Sequence, residues 1–165
     1  MAALAEESIL FTFAQVAVLF AGFGGVSIIL GRLRSPIELA RLRNVIITAF
    51  FMLLTSLFPV LLNQYGIRPE TTWRVGTGVI ALIMIAFYAV SGDLQLFKDA
   101  NRLDQSGMIG DGVLIVLLTI GTLGVEAGLA AKIYLTALFW HLLSACVMFI
   151  MVFEPVWRDP DMGGN

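Results

Sequence analysis

The chain has 165 residues, 59% of them hydrophobic and 13% charged, with a formal net charge of −2 and a mean hydropathy of +0.92. That is about half the charge of an ordinary soluble domain, and a soluble fold of this size could not hide so much apolar surface. The surrounding medium must itself be apolar, and no basic patch points to nucleic acid.

The composition expects an all-α fold, a single polytopic transmembrane domain over 1–165 with about five spans. The first apolar segment runs over 8–31. It follows Glu6-Glu7, so it lacks the positive start of a secretory signal peptide. Ala17, Ala21 and Gly25 recur at spacing four with Gly22 and Gly24 beside them. Small residues in a row let another helix approach closely, within the subunit or between subunits. Gln15 sits inside this span, where its amide needs a partner, so it is expected to face the bundle as a structural hydrogen-bonder or a pathway residue.

The second segment covers 43–64. Ahead of it, Ser35-Pro36-Ile37-Glu38 reads as a capping box, which predicts a helix from Pro36 onward. Pro59 removes one donor and frees the carbonyl of Thr55, and Thr55 and Ser56 carry hydroxyls that could satisfy nearby backbone groups. The expectation is a kink at Pro59, with a gating hinge as the alternative.

The third segment covers 73–92 and is expected to extend through Asp93–Leu103, lying along or out of the membrane surface. The fourth, 111–126, is short. Gly110-Asp111-Gly112 reads as its start with Asp111 as N-cap, and Gly121, Gly124 and Gly128 mark close packing. It either spans or forms a re-entrant segment; in the spanning case Glu126 and Lys132 lie at the outer surface.

The fifth segment covers 131–154 and carries His141, the single histidine, near its middle. Ionisable residues at that depth are costly and face an interior or a water pocket. Tyr134, Ala137, His141, Ser144, Ala145 and Met148 share one helical stripe, which should therefore point inward. A neutral, hydrogen-bonded histidine and a proton-handling or ligand-binding one both fit, with Tyr134, Ser144 and Gln15 as further pathway or ligand candidates. Tyr65, Trp73, Tyr134 and Trp157 sit where an aromatic belt would lie.

Orientation follows the basic residues. Arg32, Arg34, Arg41 and Arg43 fill the first loop, so the N-terminus is expected outside. Five spans then place seven basic residues inside and three outside, with the C-terminus inside. If the fourth segment did not span, the C-terminus would also lie outside.

Gln15 through Gly25, with Ala21-Gly22-Phe23 at its heart, resembles a group of small uncharacterised bacterial inner-membrane proteins whose first helix carries an Ala-Gly-Phe element. Their second helix often ends in Leu-Pro, to which Phe58-Pro59-Val60 is similar here. The resemblance implies a bacterial inner membrane and brings no activity with it.

What is missing narrows the chemistry. Cys146 is the lone cysteine and cannot form an internal disulfide. One histidine and one cysteine do not make a self-contained His/Cys zinc site, nor a bis-histidine haem within the chain. No lysine lies mid-span for a retinal Schiff base, and there is no P-loop or G-x-S-x-G element. No cofactor is predicted, and bound lipid is expected. The favoured expectation is a small homo-oligomeric channel or transport protein, with Glu6 and Glu7 as an acidic rim. The alternative is an accessory or scaffold subunit of a larger membrane complex holding lipid, quinone or pigment. A membrane enzyme has the least support.

Overall fold

A computed structural model describes residues 6–29, 36–91, 102–124 and 127–158. All five elements among them are helices: α1 (Glu7–Ile29), α2 (Pro36–Gln64), α3 (Pro69–Ser91), α4 (Arg102–Thr122) and α5 (Ala127–Arg158). Four contain long apolar stretches, Glu7–Val26, Arg41–Gln64, Pro69–Ala89 and Gly128–Val152, and α4 has a shorter one, Ser106–Thr122. The outer surface matches: Leu54 and Leu82 are each 68% exposed, amid many other outward-facing aliphatic and aromatic residues. Apolar area on this scale belongs against lipid.

The helix ends follow local chemistry. Helix α2 begins at Pro36, where the missing N–H costs nothing. It stays helical across Pro59 and stops at a Schellman turn, in which the Gly66 N–H donates to the Asn63 carbonyl and the Ile67 N–H to the Leu62 carbonyl. Gly66 has φ +79°, a conformation glycine adopts without a Cβ clash. Pro69 then opens α3 four residues ahead of the expected start at 73. Ser35, Asp93, Glu126 and the surface stretch expected beyond Gly92 lie outside the described residues.

One boundary differs in kind. Helix α4 starts at Arg102, so Asp111 is an interior helical residue and not an N-cap. Glycine lowers helix propensity by only about 1 kcal/mol, and neighbouring packing outweighs that. Gly110 and Gly112 therefore interrupt nothing.

The contacts form two compact units, each described by itself. One centres on Phe58–Ala137, containing the end of α2, all of α3 and α4, and the start of α5. The other joins Ala5–Leu57 to Leu138–Asn165, and holds α1 with the remaining parts of α2 and α5.

In the Phe58–Ala137 unit, Tyr134 is fully buried and packs edge-on against Trp73, with ring centroids 5.4 Å apart. Trp73 is only 3% exposed. The pair is a packing core rather than two outward-facing rings of a belt, whereas Tyr65 is 78% exposed. A Cβ on Gly76 would stand 2.8 Å from the Tyr134 ring, so glycine is what lets the ring seat there. Helices α3 and α4 meet through a reciprocal contact. Gly78 faces Thr122 and Gly121 faces Thr77, with Cβ positions 3.1 and 3.3 Å from the opposing threonine methyls. The two threonine hydroxyls are 3.2 Å apart.

In the other unit, Leu10, Ala14 and Ala17 of α1 are buried, as is Gly24, whose Cβ would lie 2.6 Å from the Ile46 side chain of α2. The buried face therefore runs through Ala17, Ala21 and Gly24 rather than Ala17, Ala21 and Gly25. Each step of four overshoots a 3.6-residue turn by about 40°, so a spacing-four row drifts off the contact. Phe20 packs edge-on against Phe149 of α5 at 5.6 Å.

Candidate functional site

Two polar placements inside the apolar helices stand out. The first is Asp111. It lies on α4 about 8 Å along the helix from Ser106, where the apolar stretch begins. The Tyr88 hydroxyl of α3 donates to its Oδ2 atom. Both residues are half-buried. Gly107 and Gly112 have open space where a Cβ would project, so the α4 backbone is bare to either side of the carboxylate. A carboxylate held by a phenol in such a position can stabilise a cation or a proton, and ionisable residues in membrane helices mark such pathways. Sequence reading missed this pair because Asp111 looked like a cap. The usable signal was an aspartate within the apolar run of 106–122 and a tyrosine late in the third.

The second is His141 on α5. It is half-buried, and its ring lies 5.1 Å from that of Phe51 on α2, tilted by 47°. On the same stripe Tyr134, Ala137 and Ala145 are buried, while Ser144 and Met148 are half-buried. The inward direction expected for this stripe fits these burials. Tyr134 and Ala137 belong to one unit and His141 and Ser144 to the other.

Gln15 differs from expectation. It is exposed, pointing away from the buried Ala14–Ala17 face, and has no hydrogen-bond partner among the described residues. Helical geometry explains the difference, since Gln15 is about 100° around the helix from Ala14 and about 200° from Ala17. Thr55 hydrogen-bonds backward, to the Phe51 carbonyl at 2.7 Å and that of Met52 at 3.2 Å, so its hydroxyl does not serve the carbonyl that Pro59 frees. Ser56, fully buried, has no partner for its hydroxyl among the described residues.

The glycines sort by role. Gly121 packs, as its contacts with Thr77 and Ile133 require. Gly124, at φ +109° and exposed, turns the chain after α4 rather than packing a helix. Gly22, Gly25 and Gly128 have nothing within 4 Å of a Cβ. Cys146 is half-buried and free. Among the described residues no three His, Cys, Asp or Glu side chains come together as metal ligands.

An open groove of about 290 Å³ runs between α1 and α5, lined by Ile9, Thr12, Phe13, Val16, Phe139 and Leu142. Its walls are almost wholly apolar.

No family model matches the chain, and no curated protein or solved structure matches it.

Proposed function

We propose that this chain is a five-span protein of a bacterial inner membrane that works as a small homo-oligomeric channel or transport protein for a small cation. The observation that carries this reading is the Asp111–Tyr88 pair within the apolar helices α3 and α4. A membrane protein without transport or proton chemistry has little reason to keep a carboxylate there. Near the middle of the apolar part of α5 lies another ionisable side chain, His141, which belongs to the other unit.

Reconstituted into liposomes, the protein is expected to pass protons or alkali cations, and Asp111→Asn should lower the flux at least about tenfold, the factor that 1.4 kcal/mol of lost ion stabilisation carries. Asparagine keeps an acceptor for Tyr88 and removes only the charge. Wild-type liposomes as tight as empty ones to protons, sodium and potassium would end this reading.

Five spans, with the N-terminus outside and the C-terminus inside, fit the arginines of the first loop and the unbroken length of α4, 21 residues or about 31 Å. In a Cys146→Ala background, Ala5→Cys should react with an impermeant thiol reagent from outside and Met162→Cys only after permeabilisation. Labelling of both ends from one side would rule out five spans.

The groove between α1 and α5 favours a second reading, an accessory subunit that holds a lipid or isoprenoid chain against an apolar wall. Lipid stays the expected bound species in either case. Mass spectrometry of the extracted protein separates the readings: an isoprenoid retained in stoichiometric amount supports the second, and ordinary phospholipid alone supports the first.

A further inference from the structure

Gln15 lies about 12 Å along α1 from Glu7 and about 17 Å from Val26, close to the middle of the apolar stretch. Its amide carries two donors and an acceptor, and all are costly to leave bare in hydrocarbon. Three threonines on outward faces solve this within their own helix. Thr12 donates to the Ser8 carbonyl at 2.9 Å, Thr119 to Ile115 at 2.8 Å, and Thr136 to Lys132 at 2.8 Å. Gln15 has no such bond, being exposed and without a partner among the described residues. Lipid tails cannot supply one.

We infer that the outward face of α1 is the seam along which two copies of this chain join, with their Gln15 amides hydrogen-bonded to each other across it. Ser8, Thr12, Gln15, Leu19, Gly22 and Val26 are all exposed and recur at alternating steps of four and three. That is the seven-residue repeat with which two helices hold a continuous contact line. Gly22, two turns from Gln15, has nothing within 4 Å of a Cβ, so a second backbone can come close there.

Complementarity selects the occupant. Two copies inserted the same way round are related by a two-fold axis along the membrane normal, which puts both Gln15 residues at the same depth. An amide both donates and accepts, so two of them facing each other across that axis satisfy both. A different polypeptide would need its own polar group placed at this level. The inference rests on the membrane reading but not on transport.

The test uses the full chain in nanodiscs and liposomes. Wild type should count as a dimer, or an even-numbered oligomer, by single-molecule photobleaching. In a Cys146→Ala background, Leu19→Cys should cross-link to itself on mild oxidation, whereas Leu82→Cys on the outer face of α3 should not. Gln15→Leu should weaken association roughly tenfold, as expected for losing a pair of interhelical hydrogen bonds. Gln15→Asn should keep most of it. Because Gln15 makes no bond among the described residues, Gln15→Leu should melt at the wild-type temperature in detergent dilute enough to keep both proteins monomeric, which separates lost assembly from lost folding. A wild type that stays monomeric at every protein-to-lipid ratio would overturn the inference. So would a Leu19→Cys variant that never cross-links to itself, or a Gln15→Leu variant that associates like wild type. A dimer that carries no cation leaves this inference standing and ends the transport reading alone.

Discussion

Replacing Tyr134 with alanine is expected to cost about 3–5 kcal/mol, the range for truncating a buried aromatic ring. The ring is fully buried, lies edge-on to Trp73 at 5.4 Å, and rests over the bare backbone of Gly76. Within a bilayer the hydrophobic effect contributes little between helices, so close packing carries most of the stability. Removing the ring leaves Trp73 and Gly76 facing a void, and the lost dispersion contacts are not recovered unless the helices collapse inward. Gly76→Val attacks the same contact from the other side, by forcing out a ring whose closest carbon is already 2.8 Å from where a Cβ would stand. Thermal unfolding in one fixed detergent should show both variants far below wild type, with Tyr134→Phe much nearer to it. A Tyr134→Ala protein within about 1 kcal/mol of wild type would mean that the Trp73–Tyr134 pair does not hold this unit together.

Gly121→Leu is expected to be the second most damaging change, at about 1–3 kcal/mol for overfilling a packed contact. A Cβ at Gly121 meets the Thr77 methyl at 3.3 Å and Ile133 at 3.4 Å, and the longer side chain must push one of them aside. Displacing Thr77 also disturbs its hydroxyl, which lies 2.9 Å from the Arg74 carbonyl, and the contact of that hydroxyl with Thr122. The effect should reach further down the α3–α4 seam. Asp111 and Tyr88 sit on the same two helices, so helices spread at Gly121 no longer bring the carboxylate to the phenol. Gly121→Leu should therefore lower cation flux as well as melting temperature, whereas Gly128→Leu, made where a Cβ meets nothing within 4 Å, should lower neither. Flux unchanged in a destabilised Gly121→Leu protein would disconnect the seam from the pathway.

The apolar helices were legible because their composition alone requires them, and the Pro36 start followed from a cap written in adjacent residues. The α4 boundary was not. Gly110-Asp111-Gly112 carries the local chemistry of a helix start, but the packing of α3 against α4 decides that stretch, and no window of a few residues contains it. The same holds for Trp73 and Tyr134. Each alone has the character of an interface residue, and only their meeting across 61 positions makes them a core. The face of α1 was half legible. Its small residues were visible, but the spacing-four row drifts around the helix, which moved the contact from Gly25 to Gly24 and turned Gln15 outward. The Asp111–Tyr88 pair joins residues 23 apart, and in sequence neither announces the other.

The Schellman turn at Gly66 has a consequence for biosynthesis. Only Tyr65, Gly66, Ile67 and Arg68 separate α2 from α3. With a tether this short, the ends of the two helices are held together at small entropic cost as soon as both have left the ribosome. The stretch that joins the two helices carries Arg68, and Glu70 follows in the first turn of α3, a cation and an anion whose charges offset each other where the chain turns.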